Sequence, residues 1–143
     1  MAEPAGPLRS PGFWLHHAAL TWRREVDSKL RPAGLTYTQF VVLASASWLG
    51  KKGTAPTQQE VAEFAGTDRM MTSKVISTLE DRALIERTAD SADSRAKRLT
   101  VTPEGRAVVS GAVRVVAEVD SHFFGDGERR ESLLEEMRSI ARG

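Results

Sequence analysis

Residues 57–101, TQQEVAEFAGTDRMMTSKVISTLEDRALIERTADSADSRAKRLTV, leave few folds open to this chain. Two short helical patterns meet at Ala65-Gly66-Thr67-Asp68, and a strand–loop–strand pattern follows at once. Thr57 is a good N-cap, and Glu60 three residues on completes a capping box. Val61, Ala62, Phe64 and Ala65 give the first helix an apolar face. Gly66 can end it, because glycine accepts the left-handed conformation at a helix C-terminus. Asp68 caps the second helix, in which Thr72, Val75, Ile76 and Leu79 recur at i, i+3, i+4, i+7. Helices joined by so tight a turn cross steeply, which is helix-turn-helix geometry.

With those four positions facing inward, Arg69, Met70, Met71, Ser73, Lys74 and Ser77 face outward. The capping Asp68 is the one acidic residue of this helix before Glu80, so the outer surface is neutral to basic. Such a surface fits a DNA major groove, where Arg or Lys reaches guanine O6 and N7 and a methionine can touch a thymine methyl. The plain alternative is an amphipathic helix with a solvated polar face, and a helix-turn-helix shape does not decide between them.

The next segment shifts the balance. Leu84–Thr88 alternates like a short strand, Ala89–Ser94 is a polar turn stretch, and Arg95–Val101 reads as the return strand. A β-hairpin directly after a helix-turn-helix is a wing. Arg95, Lys97 and Arg98 make it basic, which suits a flap laid along a phosphate backbone. An arginine near the tip can enter a narrow minor groove, where negative potential concentrates. Edge charges also discourage strand pairing, but that does not explain why they lie beside the helix.

Here the sequence resembles the multiple-antibiotic-resistance regulator (MarR) family of winged-helix transcription factors, over roughly residues 13–142. Asp93-Ser94-Arg95-Ala96-Lys97-Arg98-Leu99-Thr100-Val101-Thr102-Pro103-Glu104-Gly105 looks like the family's acidic-x-Arg wing running into its "LT..G" helix start. Leu35-Thr36-Tyr37-Thr38-Gln39-Phe40-Val41-Val42-Leu43 looks like its "L-T-x-x-Q-x-x-x-L" helix opening. The resemblance implies that Arg95 is the minor-groove arginine, that Asp93 orients the wing through a salt bridge, and that the helix from Arg69 is the recognition helix. Thr57, Arg69, Met70, Met71, Ser73, Lys74, Ser77, Asp93, Arg95, Lys97 and Arg98 are therefore the expected DNA-binding set. Ala83 departs from the family's frequent glycine, and alanine in a left-handed cap costs on the order of 1 kcal/mol.

Length suits a single domain of 143 residues. Net charge is only +1, so a nucleic-acid partner must be argued from charge placement. Residues 107–143 hold 5 basic and 7 acidic side chains, which leaves the rest of the chain net positive. The absence of cysteine removes disulfides, thiolate zinc sites and cysteine redox switches. No apolar run is long enough for a membrane and no signal-peptide pattern occurs, so a cytoplasmic location is expected. There is no glycine-rich phosphate loop and no GxSxG elbow. His16 and His17 point about 100° apart on a helix and do not converge on one metal. Neither an enzyme, a metal site nor a cofactor is expected.

Residues 1–10 hold two of the six prolines and no apolar periodicity, which predicts a flexible tail ahead of a domain over 11–143. Ser10 and Pro11 open a first helix that should reach about Arg31, with Leu15, Ala18, Ala19, Trp22, Val26 and Leu30 as its stripe. Phe13, Trp14 and Leu20 lie off that stripe, so this helix needs more cover than one chain supplies, and a second subunit is the simplest source. Thr36 opens another helix, to about Leu49, with Phe40, Leu43, Ala44 and Ser47 or Trp48 as its inner face. Loop 51–56 has room for a short strand supporting the wing. Thr102 and Pro103 start a long helix to about Phe123, and Leu133, Leu134, Met137, Ile140 and Ala141 mark a last one.

The predicted architecture is mainly α. A winged helix-turn-helix lobe over 36–102 carries a short β-hairpin, and helices over 11–35 and 103–143 form a dimer interface, as the resemblance implies. The matching function is a homodimeric, sequence-specific DNA-binding regulator on a pseudo-palindromic double-stranded operator. The family's small aromatic or anionic ligands bind between the dimer helices and the winged lobe, so the resemblance implies a repressor released by such a ligand. Trp14, His17, Trp22, Tyr37, Phe40 and Trp48 are the candidate pocket here, with ordinary core packing as the alternative for each ring. A winged-helix protein–protein module that binds no DNA is the rival reading, and a small-molecule binder without DNA activity is a second.

Overall fold

Five of the six α-helices begin on a capping side chain, and the caps set the element boundaries. In the computed structural model, which describes residues 6–143, Ser10 caps α1 (Pro11–Leu30) and Thr36 caps α2 (Tyr37–Gly50). Thr57 caps α3 (Gln58–Ala65), Asp68 caps α4 (Arg69–Asp81) and Thr102 caps α5 (Pro103–Phe124). The capping boxes of Thr36 with Gln39 and of Thr57 with Glu60 are both closed. Helix α6 (Glu128–Arg142) follows Gly127 without a side-chain cap. Strands β1 (Ile85–Ala89) and β2 (Lys97–Val101) pair antiparallel, Ile85 opposite Val101 and Ala89 opposite Lys97.

Packing holds this lobe more firmly than capping does. A cap contributes about 1 kcal/mol, whereas each large side chain taken fully out of water contributes about 1.5–3 kcal/mol. Thr72, Val75, Ile76 and Leu79, the inward positions read from the spacing, are all buried on α4. Val75, Ile76 and Leu79 meet Val42 and Leu43 of α2, Val61 of α3, Ile85 and Leu99 of the hairpin, and Val26 and Leu30 at the end of α1 in one core. Helix α2 packs on α3, α4, α5 and β2, and α1 runs along α5.

Two close approaches fix how α4 passes into the wing and the wing into α5. Ala83 has φ of 58°, the one positive φ among the described non-glycine residues. The conformation foreseen for this position is thus kept, with its steric cost, by an alanine. A β-carbon on Gly105 would lie 2.1 Å from the Leu84 carbonyl oxygen. The glycine of the helix-start motif is therefore required by contact with the backbone that ends α4.

Several boundaries and faces differ from the expectation. Helix α1 stops at Leu30, and Arg31–Ala33 continue as one 3-10 turn ended by Gly34 in the left-handed region. Of the tail expected over residues 1–10, residues 1–5 lie outside the described part. Pro7–Arg9 form a 3-10 turn, and the Leu8 carbonyl accepts a 2.8 Å bond from Trp14 Nε1. On α1 only Val26 and Leu30 of the predicted stripe are buried, and Trp22 is half-buried. On α2 the buried set is Phe40, Val42, Leu43, Ser45 and Ala46, with Trp48 exposed. This helix is apolar nearly all round, so its periodicity does not select a face. The strand sought in loop 51–56 is a single bridge, Thr57 to Arg98, plus a 2.9 Å bond from Leu99 N to Pro56 O.

Candidate nucleic-acid interface

The turn at Gly66 and the cap at Asp68 place the start of α4 beside the start of α3, and the hairpin returns its tip to the same side. An open cleft of about 330 Å³ lies between them, lined by Thr57, Gln58, Gln59, Arg69, Arg95 and Lys97, with Ala62, Thr72 and Ala96 at its floor and wall. No carboxylate lines it. Residues 40 positions apart in sequence thus converge on one electropositive groove.

Arg69, Met70, Met71 and Lys74 are exposed on the outer face of α4, Met70 at 82%. Ser73 is half-buried. Thr57 is also half-buried, and its hydroxyl accepts from Glu60 N and donates to Glu60 Oε1, so it shapes the α3 start as a cap. Ser77 is exposed but already engaged. Its hydroxyl donates to the Ser73 carbonyl at 3.1 Å and accepts from Arg87 Nη2 at 3.1 Å. Arg87 Nη2 also donates to the Ser73 carbonyl at 3.2 Å. Arg87, on β1, clamps α4 to the wing. Sequence reasoning reads Arg87 as a partner for the hairpin carboxylates and misses this role, because nothing in the strand alternation says how far a long side chain reaches.

Within the wing the arginines divide into two kinds. Arg98 is half-buried and turned inward. Its Nε meets Asp90 Oδ1 at 2.9 Å, and its Nη1 donates to the Ala55 carbonyl. The Arg98 hydrogen bond holds the Asp90 carboxyl below the usual range, and the carboxylate in turn raises the guanidinium. Arg98, expected at the DNA surface, therefore braces the hairpin against loop 51–56. Arg95 is the opposite case, its side chain 94% exposed. Its backbone N–H donates to Asp93 Oδ1 at 3.0 Å, while its Nε lies 3.6 Å from the same oxygen. Asp93 thus sits where the wing motif puts an orienting carboxylate. Lys97 is exposed beside it.

The six rings expected to line one ligand pocket fall into three places. Trp22 and Tyr37 stack edge to face at 5.0 Å, and Tyr37 lies 6.4 Å from Phe40. Trp22 Nε1 donates to Asp120 Oδ1 at 2.8 Å, which ties α1 to α5. Burial pushes the Tyr37 hydroxyl pKa up, against the lowering effect of nearby Arg23. Trp14 and His17 stand together on the exposed first half of α1. Trp48 lies at the far end of α2 with Lys51 over its ring at 5.0 Å. The helical wheel could not separate these groups, because they differ in position along the helix axes. Among the described residues no three His, Asp or Glu side chains converge as a metal site, and no helix is long and apolar enough to cross a membrane.

Comparison with known proteins agrees with this geometry. The family model described as MarR family matches residues 35–97, the helix-turn-helix and most of the wing. The chain is 35% identical over 136 residues to the uncharacterized HTH-type transcriptional regulator YdcH of Bacillus subtilis (strain 168), covering 95% of this chain and 92% of YdcH. Among solved structures, the transcriptional repressor CouR bound to a 23-mer DNA duplex superposes with a TM-score of 0.80 at 28% identity, over 99% of both chains. CouR from Rhodococcus jostii RHA1 bound to p-coumaroyl-CoA gives a TM-score of 0.82 at 25% identity, over 97% of this chain and 94% of that one. A winged helix-turn-helix lobe between two sets of terminal helices, with a full-length relative of this identity, places the chain in the MarR family of transcriptional regulators.

Proposed function

We propose that the chain acts as a homodimeric repressor that binds a pseudo-palindromic DNA site and is released by a small aromatic or anionic ligand. The observation that carries this is the carboxylate-free cleft, where the start of α4 and the wing tip present Arg69, Arg95 and Lys97 to one side. In this reading α4 lies in the major groove, with Arg69, Met70, Met71, Ser73 and Lys74 nearest the bases. Arg95 enters the adjacent minor groove, and Lys97 follows the backbone. Thr57 and Ser77 serve as supports for these contacts. CouR bound to a DNA duplex supports the reading from outside this chain. As a DNA-bound regulator the protein works in the cytoplasm and has no catalytic step.

Two copies are needed because one helix and one wing cover little DNA. The terminal helices over 11–35 and 103–143 supply the dimer surface: Trp14, Leu15 and Leu20 on α1, and Leu134, Met137 and Ile140 on α6, are exposed in the single chain. For the ligand, the complex of CouR with p-coumaroyl-CoA supports an aromatic acyl compound as a class. The ring cluster of Trp22, Tyr37 and Phe40 stands where α1, α2 and α5 meet.

The test is DNA binding to the protein's own upstream region at two salt concentrations. Affinity should fall steeply with salt, by about 0.9 log unit per log unit of salt for each phosphate neutralised. Arg95→Ala should weaken binding by about 1–3 kcal/mol with an unchanged circular dichroism spectrum. Binding that ignores both salt and Arg95 would favour the protein–protein module. Titration of phenolic acids, read by tryptophan fluorescence and operator affinity together, tests the release step.

A further inference from the structure

The C-terminal end of α4 is where the helices of the two ends of the chain reach the recognition helix, and the contacts there are polar and specific. Arg82 follows the last residue of α4. Its Nη1 donates to the Gly34 carbonyl at 2.7 Å and its Nη2 to the Ala33 carbonyl at 3.3 Å. Those carbonyls belong to the 3-10 turn that ends α1, so the guanidinium also meets the negative end of that helix. On the other side, Thr102 Oγ1 donates to the Ala83 carbonyl at 2.7 Å and Thr102 N to the Leu84 carbonyl at 3.1 Å. Thr102 is the cap of α5. Residues 82–84 are therefore bonded to the end of α1 and to the start of α5 at once.

The two attachments differ in kind. The α5 side is buried and close-packed, with Gly105 against the Leu84 oxygen. The α1 side is an exposed arginine. The core does not need that arginine, because Thr72, Val75, Ile76 and Leu79 already hold α4 to α2 and α3. An exposed side chain spanning 48 residues of sequence to grip two carbonyls contributes little to stability but restricts rotation of α4 about its packed face. Gly34 is shaped to receive it: a β-carbon there would sit 3.1 Å from Arg82 Nη2.

We propose that Arg82 is a positioning residue that fixes the angle between α1 and the recognition helix, and so sets the separation of the two recognition helices in the dimer. The inference rests on the dimeric DNA-binding reading. A packed interface has discrete arrangements, and a tie that favours one of them selects one half-site spacing. Removing it should leave each helix able to read its half-site while the pair tolerates the wrong separation.

The chain has no cysteine, so Glu80→Cys on α4 gives a single site for a spin label. Distances between labels in the dimer are measured with Arg82 intact, with Arg82→Ala, and with Arg82→Lys, which keeps the charge but offers no planar pair of donors. Affinities are measured on a site selected from random DNA and on the same site lengthened by one base pair between half-sites. Arg82→Ala should broaden the distance distribution and lower the discrimination between the two sites by about three- to thirtyfold, with melting close to wild type. Arg82→Lys should do the same to a smaller degree, and it decides the matter should the alanine variant fail to fold. Unchanged distances and unchanged discrimination in a folded variant overturn the proposal. A wild-type dimer that selects no DNA overturns the functional reading, while the label distances still decide the role of Arg82. A wild-type chain with no label–label distance is monomeric and overturns both.

Discussion

The helix-turn-helix lobe and the two ends of the chain use the same apolar residue types but dispose of them in opposite ways. In α4 every inward position of the heptad-like pattern is buried. In α6 no residue is buried, although Leu133, Leu134, Met137 and Ile140 keep helical spacing. The first half of α1 is likewise uncovered, with Trp14 and Leu15 more than half exposed. Amphipathicity says that a helix has something to bury; it does not say on what. The lobe buries its stripe on itself, and the ends leave theirs exposed in the single chain.

The most severe way to break the lobe is at its tightest contact. Gly105→Ala should cost more than about 4 kcal/mol, since the new β-carbon meets a backbone oxygen and no flexible side chain can yield. Chemical denaturation measures it, and a loss under 1 kcal/mol would mean that α5 can slide away from Leu84. The next test sets the two regions side by side. Leu79→Ala, fully buried, should cost about 2–5 kcal/mol at any protein concentration. Ile140→Ala, on exposed α6, should cost less than about 0.5 kcal/mol in dilute protein. It should instead lower the assembly state seen by light scattering. Equal losses at the two positions would erase the distinction between the regions.

Smaller effects sharpen the picture of the lobe. Ala83→Gly relieves a left-handed alanine and should stabilise by about 1 kcal/mol, read as a higher melting temperature. The wing should show an acid dependence. Because the Arg98 hydrogen bond depresses the Asp90 pKa, the pairing is complete above the ordinary carboxylate range and is lost as pH falls through the depressed value. The protection of the β2 amides, taken relative to intrinsic exchange at each pH, should be constant from neutral pH down to about pH 4 and fall below it. Asp90→Asn should abolish that pH dependence.

What could be read in advance follows from the range of each interaction. Caps and helix faces depend on residues three or four apart, so Thr36, Thr57, Asp68 and Thr102 and the inward face of α4 were all visible in the string of residues. The left-handed Ala83 was visible too, through the motif it interrupts. The fates of Ser77 and Arg98 were not. Each looks outward on its own element, but Arg87 reaches Ser77 from another element, and Asp90 with the Ala55 carbonyl claims Arg98. Register and side-chain reach decide such cases, and neither leaves a period in the sequence. The candidate ligand rings divide for a related reason: Trp22 packs on Tyr37 at the start of α2, whereas Trp48 lies at the other end of that helix. Deleting residues 1–31 to test the terminal hydrophobics would also remove Val26 and Leu30, which are fully buried in the lobe. A cut at residue 20 isolates the uncovered half of α1 and leaves those two in place.

That uncovered half of α1 has a consequence for dosage. If only a second copy covers Trp14, Leu15 and Leu20, the folded unit is a pair, and its population follows mass action. Below the pairing constant, the number of operator-competent molecules rises with the square of the chain concentration. A twofold change in synthesis then becomes about a fourfold change in occupancy at a sparsely filled site. The response of such a regulator to its own abundance is steeper than linear, with no cooperative contact on the DNA.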